Sequence, residues 1–365
     1  MKRSKSVDVT IVSSGHDVAD ARLHRLAAAL ARQCLRVEVL GLGVADAGPP
    51  EAIVTARLRS GLMRRASDAL RLAWQARGRV LVSLDPDSAL GCAIRRAVLG
   101  PKRLKWVAEI HEDYEALLED RAWATGLAGA VGRAVARAGE KVAARADLTV
   151  VADEALALQA PRRLVVRNLP DLTMLPQPVA REAKPRALYV GDLTASRGLF
   201  TMLQATQAAP NWRLDLVGRL NPDDQPAVEA LLASAPDLAS RVTLHGMMPP
   251  RQAWKLAAGA WVGLSLLEIT RASRQAMPSK IFEYLVCGLP VLTSPLPRPA
   301  RLIETSGAGA VVDQAAEAAQ VLERWSSQPR ALAEAAAAAE RVGHEIVKQC
   351  GEMEQEASQI KSLIP

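Results

Sequence analysis

The chain has 365 residues, 49% of them hydrophobic and 23% charged, with a formal net charge of +7. That length exceeds one typical core and suits two domains, of roughly 150–180 residues each. No apolar run reaches the roughly 18–20 residues that span a bilayer, and aromatics at 3% without a stacking motif argue against a nucleic-acid binder.

Residues 1–172 hold 27 Lys and Arg against 20 Asp and Glu, and residues 173–365 hold 19 against 19, so the whole positive excess lies in the first half. That half either meets an anionic partner or carries an incidental bias. The start, Met1-Lys2-Arg3-Ser4-Lys5, is basic, but the strand that follows is too short and polar for a secretory leader. Cys34, Cys92, Cys287 and Cys350 are far apart with no metal-ligand spacing, which fits a reduced, cytoplasmic chain.

In chain order, residues 7–12 form an apolar strand. Ser13-Ser14-Gly15-His16-Asp17 reads as its turn into a helix over residues 19–32, with Gly15 allowing the backbone to pass close to a ligand. Further short apolar runs cover residues 37–40, 80–84, 105–110 and 148–151, with helical stretches between. Between residues 57 and 79 stand Arg57, Arg59, Arg64, Arg65, Arg71, Arg77 and Arg79, with Leu58, Leu62, Met63, Leu70, Leu72 and Trp74 among them. This is a basic amphipathic helix that rests on an anionic membrane surface or is an ordinary solvated face. His111 follows the strand 105–110 and begins the polar cluster His111-Glu112-Asp113. Alternating strand and helix predicts a parallel sheet with helices on both faces.

Residues 167–186, with Pro170, Pro176, Pro178 and Pro185, have no clear period and read as a linker. The second half repeats the alternation with strands at 187–190, 214–217, 242–244, 262–266 and 290–293. Pro278-Ser279-Lys280-Ile281-Phe282-Glu283 begins a short helix that stops at Gly288. Lys280 and Glu283 share one face of it, a cation suited to phosphate and a carboxylate suited to a ribose diol. The Ala-rich end, residues 329–360, reads as one or two long helices. The expected domains are 1–172, 173–340 and a helical tail, 341–365. Ligands of doubly wound sheets bind outside the carboxyl ends of the strands, and the polar segments above all fall there, so a cleft between the two domains is the expected site.

The segment 278–292 resembles the nucleotide-sugar signature of the retaining glycosyltransferases of family 4, the "glycosyl transferases group 1". Gly15, His111-Glu112-Asp113-Tyr114, Asn168-Leu169-Pro170-Asp171, Tyr189-Val190-Gly191-Asp192 with Arg197-Gly198, Leu216-Val217-Gly218-Arg219 and Leu244-His245-Gly246 resemble the same family in the same order. The resemblance runs from about residue 7 to about residue 295. It implies the GT-B fold, two Rossmann-like domains facing a cleft, with C-terminal helices crossing back to the first. It also implies metal-independent, hexosyltransferase-type transfer without a cofactor.

Carried over residue by residue, the resemblance makes Gly15, Gly191, Arg197, Arg219, Gln275, Lys280 and Glu283 donor-binding residues. His111, Arg197 and Lys280 become the catalytic set, and His16, Asp17 and Glu112 the acceptor side. Two positions depart from the family. Its Gly-Arg-x-x-x-x-Lys-Gly pattern has Asp192 in place of the Arg, with Arg197 at the Lys, and Arg219 is the candidate replacement. Its donor-sugar glutamate is Gln275 here, with Glu268 as a nearby alternative.

Arg, Lys and helix N-termini can neutralise a leaving diphosphate without a metal; Asp85-Pro86-Asp87 has metal-like spacing but stands in the first half. With no carboxylate at position 275 for a covalent intermediate, same-face displacement is the expected route. The reading is therefore a retaining glycosyltransferase using a UDP-, GDP- or dTDP-sugar and a glycan, lipid-linked or small-molecule acceptor, in cell-surface glycan or glycosylated metabolite synthesis. It would be cytoplasmic or peripheral on the inner face of the plasma membrane. A nucleotide-sugar 2-epimerase and a non-catalytic nucleotide-binding scaffold share the architecture and remain as alternatives.

Overall fold

The computed structural model describes residues 6–58, 62–111, 114, 118, 126–154, 156–270, 273–274 and 276–364. The chain falls into two compact units, Met1–Asn168 with Gly351–Pro365, and Leu169–Cys350. The sequence-based boundaries lay at 172 and 340. The long helix near the end thus belongs wholly to the second unit, and only its successor joins the first.

The first unit runs β1 (Val9–Asp17), α1 (Ala21–Arg32), β2 (Val37–Leu42), β3 (Ala52–Arg57), α2 (Leu62–Gln75), β4 (Val80–Ser83), α3 (Pro86–Leu99), β5 (Lys105–Ile110), α4 (Gly126–Ala143), β6 (Leu148–Val151) and β7 (Arg163–Val165). Its strands pair in parallel in the order β3-β2-β1-β4-β5-β6-β7. The central strands are buried along their whole length, because helices cover both faces, and so they read as unbroken apolar runs. Asp20 caps α1 by accepting the Arg22 and Leu23 amides. Leu23, Leu26 and Leu30 then pack on one face of the sheet, while Leu72, Ala73 and Cys92 pack with Trp106 on the other.

The second unit has β8 (Arg186–Val190), α5 (Leu199–Ala208), β9 (Arg213–Val217), α6 (Gln225–Ser234), α7 (Pro236–Ala239), β10 (Val242–Gly246), α8 (Pro250–Lys255), β11 (Val262–Ser265), α9 (Ser279–Val286), β12 (Val291–Thr293), α10 (Pro297–Ser306), β13 (Gly309–Val311), α11 (Ala315–Ser327) and α12 (Pro329–Gln349). Its parallel order is β10-β9-β8-β11-β12-β13. One face packs around Trp212, Met202 and Trp325, the other around Trp254, Ile281, Tyr284 and Ala339.

Helix α13 (Glu352–Ser362) closes the chain. Met353, Ala357 and Ile360 follow helical spacing on one face and enter the first unit's core beside Leu23, Leu26 and Leu30 of α1. In both sheets the strand order reverses once, between β1 and β4 and between β8 and β11, and those switch points are where doubly wound folds take ligands.

Three strands escape the sequence reading, namely β3, β7 and β13. Each is an edge strand with no fully buried residue, so none forms a solid apolar run.

Gly198 locks the β8 switch point. It has φ +80°, and a Cβ there would stand 1.8 Å from the Leu266 carbonyl oxygen. Left-handed strain and a backbone clash combine, so Gly198→Ala should destabilise the protein by about 2 kcal/mol or more. A fall in the urea midpoint checks this; an unchanged midpoint contradicts the close packing.

Candidate functional site

In the second unit, β8 ends at Val190 and the chain turns through Gly191 and Asp192 to a short 3-10 turn, Ala195–Arg197, capped by the Thr194 side chain. The loop after β11 runs alongside it, since the Glu268 amide donates to the Ser196 carbonyl at 3.0 Å. Helix α9 is held against the same strand end: the Tyr284 hydroxyl accepts the Val190 amide at 3.0 Å.

This docking brings Lys280 to the end of β8. Its Nζ lies 3.8 Å from the centroid of the Tyr189 ring, a cation–π contact. At Gly191, with φ +146°, a Cβ would stand 2.7 Å from that same Nζ. Gly191 therefore leaves the space that the ammonium occupies. Burial, and next the nearby Arg197 guanidinium, push the Lys280 ammonium well below the ordinary lysine range, against the pull of Asp192 and Glu283. Lys280 and Gly191 thus meet at the switch point, with the Arg197 charge near enough to act on Lys280, and Glu283 is buried on the same helix, one turn on.

Arg219 and Asp192 meet because β8 and β9 continue side by side past their ends, with the Leu193 amide donating to the Arg219 carbonyl. The two side chains stand 3.5 Å apart and are both largely exposed, a pair worth at most about 1 kcal/mol. The position that carries Arg in the family pattern is thus an acid facing Arg219. His245 Nε2 stands 3.1 Å from Asp215, which also accepts from Arg186. Glu268 is exposed and lines a cavity of about 240 Å³ with Thr201, Ser294 and Asp313. Gln275, Glu112 and Asp113 lie outside the described residues.

In the first unit, the turn after β1 is tied to the end of β4 by Asp85. Its carboxylate accepts from the Ser13 hydroxyl at 2.7 Å, the Ser14 hydroxyl and amide at 2.9 Å and the Gly15 amide at 3.2 Å, while also capping α3 through the Ser88 amide. Burial alone would raise its pKa, but His16 and Arg65 outweigh that and hold the carboxyl far below its usual range. Asp87 pairs with Arg65 at 2.5 Å. Both acids of the Asp85-Pro86-Asp87 segment are thus taken up by the fold, and no cluster of three or more His, Cys, Asp or Glu among the described residues could hold a metal. Arg65, read from sequence as part of a solvent-facing basic stripe, instead presses on Gly15, where a Cβ would meet its Nη2 at 2.6 Å.

His16 and His111 come together, ring centroids 6.2 Å apart and edge to face. His16 Nδ1 is 3.1 Å from the Ser13 hydroxyl, and His111 Nε2 is 3.2 Å from Glu109. Burial, then Arg22, His16 and Arg25, push the His111 imidazole well below the ordinary range, with Asp85 opposing. A neutral imidazole reconciles that shift with the carboxylate 3.2 Å away, whose charge Arg22 already answers at 2.6 Å. Asp17 turns elsewhere: it accepts the Ala19 amide and fills the space beside Gly43. Sequence reasoning missed Glu109 and Arg22 and read Asp85 only as half of a metal-like spacing, since nothing in the chain marks a buried charge from a surface one.

Residues 184–328 match the family model for "Glycosyl transferases group 1". No curated protein matches the chain in sequence. Among solved structures, a sucrose-phosphate synthase from Thermosynechococcus elongatus is 17% identical, with 98% of each chain covered and a TM-score of 0.72. HepE from Anabaena in complex with UDP-glucose is 16% identical over 97% of this chain and 99% of its own, with a TM-score of 0.68. WaaG, a glycosyltransferase involved in lipopolysaccharide biosynthesis, is 16% identical over 98% and 99%, with a TM-score of 0.64. Residues 184–328 of the second unit are thus similar to the glycosyl transferases group 1 family, and the chain has the GT-B fold.

Proposed function

We propose that this protein is a retaining, metal-independent glycosyltransferase that moves a sugar from a nucleotide-diphosphate sugar to an acceptor hydroxyl. The observation that carries the reading is the Lys280 ammonium seated against Gly191 at the β8–β11 switch point, with the Arg197 charge close by. Two cations with one side-chain-free residue between strand and helix suit a diphosphate, which gains charge as its bond to the anomeric carbon breaks. Glu283 would accept both ribose hydroxyls. Neighbouring folds solved with UDP and UDP-glucose support the donor class.

The acceptor hydroxyl would attack from the face the diphosphate leaves, and the departing phosphate oxygen would take its proton. Gly15 is proposed to let the backbone pass close to the diphosphate, His111 to stand beside the donor sugar, and His16 and Glu112 to meet the acceptor, in the synthesis of a cell-surface glycan or glycosylated metabolite.

A Lys280 ammonium held low in the free protein regains its ordinary affinity for a proton when a diphosphate sits on it. Binding should then take up a proton, and affinity should weaken as pH rises between the lowered value and the ordinary lysine range. Lys280→Ala or Glu283→Ala should cost about 1.5–3 kcal/mol of nucleotide-diphosphate affinity, roughly ten- to hundredfold. Calorimetry in buffers of different ionisation enthalpy reads both effects. Unchanged affinity in both variants removes these residues from the site.

The surface of α2 favours an acceptor at an anionic membrane. Leu58 is 85% exposed, and Leu70 and Trp74 are 41% and 49% exposed on one helical face. Arg57, Arg64 and Arg71 line a cavity of about 340 Å³ with Leu58 and Leu72. No helix among the described residues is long and apolar enough to cross a membrane. Replacing these three arginines with Gln should reduce sedimentation with anionic vesicles by about 1 kcal/mol for each residue near the surface, more visibly at low salt. No vesicle binding by the unaltered protein at low salt would point to a soluble acceptor.

A further inference from the structure

Behind His111 lies a group of charges that the proposed reaction does not use. Arg22 of α1 donates from Nε to Glu109 of β5 at 2.6 Å, and its Nη2 stands 3.9 Å from Glu356 of α13. Glu109 in turn faces His111 at 3.2 Å. The Glu109 and Glu356 side chains are wholly buried, and Arg22 nearly so. Glu356 is the one acid on the face of α13 that Met353, Ala357 and Ile360 turn into the core; Glu352 and Glu354 pair outward with Arg167 and Arg32. An apolar residue would suit that position better unless the carboxyl has a task.

We propose that Glu356 is a positioning residue that packs behind Arg22, filling the space that would otherwise let Arg22 draw back from Glu109, and thereby keeps the His111 imidazole beside the Glu109 carboxylate. Among the described residues no donor bonds to either Glu356 oxygen, and the Glu109 carboxylate stands close by, so Glu356 keeps its proton. Burial first, then Glu109, raise its pKa well above the carboxylate range, with Arg22 opposing. The group then carries one positive and one negative charge, Arg22 and Glu109, with Glu356 and His111 both neutral. Among the described residues, the charged and titratable groups facing His111 include Glu109, Arg22, His16, Arg25 and Asp85. In this arrangement the C-terminal helix forms the back wall of the His111 site as well as a strap on the first unit.

The inference rests on the proposed function only in taking His111 as a site residue, and its test needs no substrate. Long-range proton–nitrogen spectra of the imidazoles, with His111 assigned through His111→Gln, report its titration and tautomer. The unaltered protein should show His111 neutral through the ordinary histidine range. Glu356→Gln keeps shape and neutrality and should leave that titration in place. Glu356→Ala opens space for water behind Arg22, and His111 should gain about tenfold in proton affinity, one unit in its midpoint. Arg22→Lys, which loses the planar fork, should move it in the same direction and decides the matter if Glu356→Ala fails to fold. A folded Glu356→Ala or Arg22→Lys with His111 unmoved overturns the proposal. So does a Glu356→Gln shift as large as that of Glu356→Ala, because charge and not position would then be acting.

Discussion

The account depends on one contact, that of the Lys280 ammonium with the end of β8. A lysine placed over a tyrosine ring and against a residue without a side chain is an expensive arrangement in a folded protein, since burial and Arg197 both oppose its charge. Nothing in the fold alone requires it. An anionic ligand would relieve both costs at once, and the neighbouring elements are built to keep the arrangement fixed. Tyr284 bonds to the Val190 amide, Gly198 packs on the Leu266 carbonyl, and the loops after β8 and β11 are joined through Ser196 and Glu268. Rigid placement of cations is what transfer of a diphosphate-linked sugar needs, because charge must be met without rearrangement as it develops.

The first unit uses the same topology with a different balance. At its switch point an acid, Asp85, gathers the backbone and hydroxyls of Ser13, Ser14 and Gly15, so the turn after β1 is shaped by a buried anion and not by a ligand-seeking cation. His16 and His111 stand over that turn, one near Ser13 and one on Glu109.

Most of the architecture was legible because buried parallel strands are unbroken apolar runs, as at Val80–Ser83 and Leu148–Val151. The edges were not, since Ala52–Arg57 alternates exposed and half-buried residues. In the site, the three-residue spacing of Lys280 and Glu283 marked the helix face before any fold was seen, and Gly191 and Arg197 came with the family pattern. Charge partners were illegible. Arg65 looked like one more arginine in a basic stretch yet pairs with Asp87, and Asp85 looked like half of a metal motif yet serves as a cap. Glu356 sits among the other acids of an ordinary helix, and only the packing of α13 shows that it alone faces inward. Roles such as those of Arg65 and Glu356 depend on contacts between residues far apart in sequence, Arg65 with Asp87 and Arg22 with Glu356, which local pattern does not encode.

The most direct test of the central claim is transfer itself. The protein is incubated with UDP-, GDP- and dTDP-sugars and a panel of acceptor alcohols in the presence of a strong chelator, and the anomeric configuration of the product is read by proton NMR. The account predicts a glycoside with the configuration of the donor, formed without added metal. An inverted product, or activity that needs magnesium or manganese, would contradict it.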